Sequence, residues 1–80
     1  MSFEKRLEQI RFILTKLSRQ PLRWTPLVKA TIQVCGSAPR IYYILKFLEK
    51  KAFVTHESLE GKLHWKITEK GKALLVVLSE

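Results

Sequence analysis

An α+β fold, with a three-helix core, a β-hairpin and a C-terminal helix, is predicted by three features of this chain. The segment Ile67-Thr68-Glu69-Lys70-Gly71-Lys72-Ala73-Leu74-Leu75-Val76-Val77-Leu78 ends a strand on a Thr that caps an apolar helix. Just upstream, residues 53–67 hold two β-rich runs around a turn with Gly61. Further upstream, two helical patterns meet at Cys35-Gly36-Ser37, a junction too tight for anything but a direct turn.

Eighty residues are read as one domain, 1–80. A chain this short hides only about 60% of the surface its unfolded form exposes, which leaves little room for an enclosed catalytic cleft, so an enzyme is not expected. Fifteen Lys and Arg face seven carboxylates, a formal net charge of +8. That asymmetry points to a polyanionic partner, although a membrane surface or a ribosomal role also suits a basic protein. Cys35 is the lone cysteine, so no intramolecular disulfide is possible, and the N-terminal segment is charged and amphipathic rather than signal-like. A cytoplasmic location is expected. No membrane contact is expected either, because the longest apolar run, Ala73 to Leu78, falls far short of the ~20 residues that span a bilayer.

At 100° per residue, the segment from Ser2 to Ser18 places Phe3, Leu7, Ile10, Leu14 and Leu17 on one face, with Ile13 at its edge. Ser2 serves as the expected N-cap and Pro21 stops continuation. Phe12 falls on the opposite side, among Lys5, Glu8, Thr15 and Lys16, with no core of its own to enter. Residues 21–24 read as extended. Thr25 then caps a short helix from Pro26 to Cys35 whose apolar side holds Leu27, Ala30, Val34 and Cys35, with Lys29 and Gln33 opposite. Gly36 ends it and Ser37 caps the next, which is the helix-turn-helix connection.

The third helix runs from Ala38 to about Lys51. Ile41, Ile44, Leu45, Leu48 and Ala52 share the inward face, while Pro39, Tyr42, Tyr43, Lys46 and Lys50 point out, flanked by Arg40 and Phe47 on one side and Glu49 on the other. Solubility would be served by Glu and Lys alone. Tyrosines alternating with lysines suit a helix that enters a nucleic-acid groove, the rings against thymine methyls and sugars and the ammoniums against phosphates. A solvated amphipathic helix with incidental tyrosines is the alternative.

In the hairpin, Leu63, Trp65 and Ile67 share one side, and a register centred near Glu60 sets His56 opposite His64. Lys62, His64 and Lys66 then project from the solvent face. Trp24 and Trp65 are expected in the core where the extended segment meets the hairpin, or at its edge where they could stack on a base. In the last helix, Glu69 lies in the first turn and Gly71 permits a close approach to a neighbour. The rest has almost no polar side, so some of it must be covered by the first helix or by another chain, unless its apolar residues are simply tolerated at the surface. Phe12 together with Leu74, Leu75 and Leu78 is expected to form a homodimer interface.

Other chemistries find no support. His56 and His64 with a distant Cys35 do not make a zinc constellation, so no metal and no cofactor is expected. The chain has no Asp, hence no Ser/His/Asp set, and neither Gly36 nor Gly61 belongs to a phosphate-binding loop, so no catalytic residue is assigned. Cys35 as a redox sensor is weaker than Cys35 as a small buried side chain.

The order of elements resembles the winged helix-turn-helix superfamily. Tyr43-Ile44-Leu45-Lys46-Phe47-Leu48-Glu49-Lys50-Lys51-Ala52-Phe53-Val54 and Trp65-Lys66-Ile67-Thr68-Glu69-Lys70-Gly71 look like the pattern of small archaeal winged-helix DNA-binding proteins and of PadR- or MarR-type repressors. The resemblance spans about residues 22–78 and is sharpest over residues 66–75. It implies that the helix from Ser37 is the recognition helix, the hairpin a wing and the terminal helix a dimerisation element. One departure is that glycine is usual where Ala52 stands; the exit from the recognition helix is then a left-handed alanine or begins later. The expected partner is double-stranded DNA, contacted by Thr25, Lys29, Ser37, Pro39, Arg40, Tyr42, Tyr43, Lys46, Lys50, Lys62, His64 and Lys66, in a homodimeric transcriptional regulator. The alternatives are a winged-helix protein-interaction module and a non-specific chromatin- or RNA-binding protein.

Overall fold

The computed structural model describes residues 3–80, which form α1 (Phe3–Arg19), α2 (Trp24–Cys35), α3 (Ala38–Lys50), β1 (Val54–Leu59), β2 (Lys62–Ile67) and α4 (Glu69–Leu78). This is the expected architecture of three helices, a hairpin and a terminal helix. The expected Ser2 cap lies outside the described residues.

α1 buries Ile10, Ile13, Leu14 and Leu17, spaced three and four apart so that one stripe faces the core. Gln9 lies in the same stripe and is fully covered, its Nε2 donating to the Val34 carbonyl at 3.5 Å. Phe3 departs from expectation. It sits in the first turn, beyond the reach of the core, and is exposed. Ile41, Ile44, Leu45 and Leu48 of α3, Leu27 and Cys35 of α2, and Val54, Trp65 and Ile67 of the hairpin complete the cluster.

α2 begins two residues before the expected start. Arg23, not Thr25, is its extended N-cap, and the first intrahelical bond runs from Leu27 N to Arg23 O at 3.1 Å. Pro26 is tolerated at the third helical position because first-turn N–H groups have no intrahelical acceptor, so its missing donor costs nothing. Inside the helix, Thr31 is buried on the core side and returns its hydroxyl to the Leu27 carbonyl at 2.7 Å. Residues 21–23 do not form a strand of their own. They contribute one bridge, Leu22 to Trp65, with N···O distances of 2.9 and 2.7 Å.

The hairpin is longer and tighter than expected. β1 continues through Glu57, Ser58 and Leu59, because ladder bonds to β2 outweigh their weak strand preference. The turn shrinks to Glu60 and Gly61, both at positive φ, 54° and 77°, as a type I′ turn requires. Its register pairs His56 with Trp65 and Glu57 with His64, so the two histidines are not opposite each other. They lie on opposite faces.

Ala52 is not part of the inward face of α3. It is exposed at φ 67°, the left-handed residue that ends the helix. Just beyond, Thr68 caps α4 by accepting from Gly71 N at 3.0 Å, while its hydroxyl donates to the Ala52 carbonyl at 2.7 Å. Thr68 N donates to Phe53 O at 3.1 Å. Gly71 is packed so closely here that a Cβ on it would lie 2.0 Å from Phe53 O and 2.8 Å from Ile67 Cγ1.

The terminal helix packs on its own chain. Leu74, Leu75 and Leu78 are half-buried against the core, whereas Val76 and Val77 stand out at 60% and 65% exposure. Phe12 is half-buried, with Lys16 Nζ 4.9 Å from its ring centre.

Two substitutions test this junction. Gly71→Ala should destabilise by about 3 kcal/mol, because the obstructing atom is a backbone oxygen that cannot rotate away, and should lower Tm by roughly 10–20 °C. Ala at a helical site is otherwise favourable, so any gain in stability by urea denaturation would refute the close contact. Ala52→Gly should stabilise by up to about 1 kcal/mol, the relief of a left-handed Cβ less the entropy glycine adds to the unfolded chain. A loss of stability in the same assay would refute the left-handed exit.

Candidate nucleic-acid interface

Gly36 and Ser37 set the angle between α2 and α3. Gly36, at φ 95°, closes α2 by donating its N–H to Ile32 O at 2.7 Å. Ser37 is extended and its hydroxyl accepts from Arg40 N at 3.3 Å, with Pro39 in the first turn of α3. With Ile41, Ile44, Leu45 and Leu48 locked inward, α3 presents Tyr42 at 51% and Tyr43 at 61% exposure, beside Lys46, Phe47 and Lys50.

Neighbouring elements orient these side chains. Trp24, at the start of α2, meets Tyr42 edge-on with centroids 5.8 Å apart, and Lys46 Nζ lies 6.0 Å from the Tyr42 ring. From α1, the Arg6 guanidinium stands 5.8 Å over the Tyr43 ring. Nothing in the sequence marks Arg6 for this contact, because only the fold carries the start of α1 to the outer flank of α3. Trp24, Tyr42, Leu63 and Trp65 together line an apolar cleft of about 330 Å³ between α2, α3 and the hairpin. Trp65 is its buried floor and Trp24 its half-buried wall.

Glu49 connects α3 to the hairpin. Its Oε1 accepts from Lys46 Nζ at 2.9 Å, and its Oε2 is paired with His56 Nδ1 on β1. The hydrogen bond from Lys46, with lesser help from His56, lowers the Glu49 pKa, and the same bond to Glu49 raises that of Lys46. His56 is in turn held edge-on against Trp65, with centroids 5.5 Å apart.

On the hairpin, Lys62, His64 and Lys66 share the outer face as expected, since alternate residues of a strand point the same way. Lys66 leans on Glu57 at 3.6 Å and His64 Nδ1 lies 2.9 Å from the Lys62 carbonyl, whereas Lys62 has no ion pair among the described residues. Thr25 and Lys29 are exposed on α2, and no side chain caps that helix. The fold thus gathers Ser37, Pro39, Arg40, Tyr42, Tyr43, Lys46 and Lys50 on α3, beside a separate set on the hairpin. Cys35 is buried beneath α3, and burial pushes its thiol pKa up. Among the described residues no helix is long and apolar enough to cross a membrane.

No protein-family profile matches the chain, and no curated protein sequence matches it. Among solved structures, the reduced form of the transcriptional regulator YodB from B. subtilis is similar at 30% identity and a TM-score of 0.71, over 84% of this chain and 67% of that one. Together with the sequence motifs and the geometry, that likeness shows that the chain belongs to the MarR-like branch of the winged helix-turn-helix superfamily.

Proposed function

We propose that this protein is a cytoplasmic transcriptional regulator that binds double-stranded DNA in a sequence-specific manner, with α3 in the major groove and the hairpin as a wing on the flanking backbone. The observation that carries this reading is the outward face of α3, two exposed tyrosines interleaved with lysines on a helix whose other side is locked in the core. Its Ser37 end approaches the bases, so Pro39, Arg40 and Tyr43 lie nearest the edges and Lys46 and Lys50 follow along the groove. Lys62, His64 and Lys66 neutralise or bond phosphates from the wing. At the N-terminus of α2, the exposed Thr25 hydroxyl, Lys29 and the helix dipole suit a phosphate, without the cap that the sequence placed on Thr25.

A homodimer completes the reading. Val76 and Val77 are adjacent, exposed and apolar on α4, and the neighbouring groove between α1 and α4, about 280 Å³, is lined by Glu4, Leu7, Glu8, Arg11 and Leu78. Two copies joined there would present two recognition helices to half-sites about 34–36 Å apart on an inverted repeat.

Gel shifts at several salt concentrations test the DNA reading. The wild type should lose affinity steeply with salt, Lys62→Ala should reduce the log-log slope by about 1 on every sequence, and Tyr43→Ala should cost about 1–3 kcal/mol on a duplex selected from a random pool but much less on random DNA. A salt-insensitive wild type would point instead to a protein partner. For the dimer, sedimentation of the wild type should give two chains per particle, and a Val76→Glu, Val77→Glu double variant a folded monomer. A wild type that stays monomeric at tens of micromolar removes the dimer.

A further inference from the structure

Glu49 is the one carboxylate on α3, and its position is unexpected for a helix read as facing DNA. A carboxylate beside phosphates is repelled by them, and on an otherwise basic face it lowers attraction to any duplex. Yet Glu49 is held firmly. Its side chain is only 22% exposed, one oxygen accepts from Lys46 Nζ at 2.9 Å and the other is paired with His56 Nδ1. His56 is a fixed post, because its ring stands edge-on against Trp65, whose backbone is bonded in both directions to Leu22. Lys46 is therefore gripped on one side by a carboxylate anchored to the hairpin and bordered on the other by the Tyr42 ring at 6.0 Å.

We propose that Glu49 is a specificity-determining positioning residue, which withdraws Lys46 from indiscriminate phosphate contact and aims its ammonium at a base edge. This deepens the DNA-binding reading above and rests on it. A free lysine is a compact charge on a flexible stem, able to reach whichever phosphate is nearest. Paired with Glu49, it adds almost no net charge, so it contributes little to the counterion release that drives binding to any sequence. An ammonium has three donors and Glu49 occupies one. The other two remain for acceptors at one fixed place, such as guanine O6 and N7 in the major groove.

The test uses the full chain, a duplex selected by the wild type from a random pool, and a random duplex of equal length. Glu49→Gln keeps the side chain's size and removes its charge. It should bind random DNA more tightly, with a log-log salt slope steeper by about 0.9, the contribution of one further phosphate neutralised. Its preference for the selected duplex should fall about tenfold or more, the equivalent of losing one good base contact. Lys46→Ala in the wild-type background should leave the slope on random DNA unchanged while weakening the selected complex. The same change in the Glu49→Gln background should remove the added slope. Thermal melting without DNA shows whether each variant is folded, and the Lys46→Ala arm stands even should Glu49→Gln not fold. An unchanged slope or an unchanged preference in folded Glu49→Gln overturns the proposal, as does a lower slope for Lys46→Ala alone. A wild type with no salt-dependent binding, or none better than random DNA, would instead overturn the function on which the proposal rests.

Discussion

Where the hairpin returns to the core, one carbonyl governs the geometry of the whole functional side. Phe53 O accepts from Thr68 N, lies against the Thr68 hydroxyl, and comes so near Gly71 that no side chain fits between them. Phe53 follows the last turn of α3, Thr68 ends β2, and Gly71 lies in the first turn of α4. Three elements are thus held at a single point. Lys70 reinforces it, with Nζ donating to Lys51 O at 2.9 Å and standing 5.0 Å from the Phe53 ring. The angle between α3 and the hairpin follows from this junction, since both strands leave it in fixed register.

The exposed side chains of α3 are not isolated on its surface. Tyr42, Tyr43 and Lys46 each have a ring or a charge beside them: Trp24 from α2, Arg6 from α1, and, on α3 itself, Glu49, which is tied to β1. Side chains already confined lose less conformational entropy when they meet a partner. The Trp24 contact comes from the first helix of the helix-turn-helix and the Arg6 contact from outside it, so α1 as well as α2 borders the exposed face of α3.

Much of this was legible in the sequence. Periodicity located α1, α2 and α3, the inward set of α3 apart from Ala52, and the outer set of the hairpin, because burial of one face imposes a pattern that survives without tertiary information. Gly71 and Thr68 were legible for a similar reason, each being needed by a local backbone requirement. What was not legible depended on pairing across the fold. The hairpin register could not be had from strand preference, since Glu57, Ser58 and Leu59 join β1 only by virtue of their partners. The cap of α2 was misplaced because Thr25-Pro26 looks like a helix start, while Arg23 takes that role without a side-chain bond. Which residues of α4 are covered by α1 and which stand free depends on the same kind of pairing, since contact with α1 half-covers the leucines and leaves the valines out. Arg6 and the double pairing of Glu49 belong to the same class.

The apolar cleft also has a spectroscopic consequence. The chain contains two tryptophans, and both Trp24 and Trp65 line that one cleft between α2, α3 and the hairpin. Tryptophan emission from the protein therefore originates in one place, with a floor shielded from water and a wall partly open to it. No engineered fluorophore is needed to observe the gap between helix and wing. Changes in emission colour or in quenching by small solutes would report its opening, filling or drying directly, against a background free of other indoles.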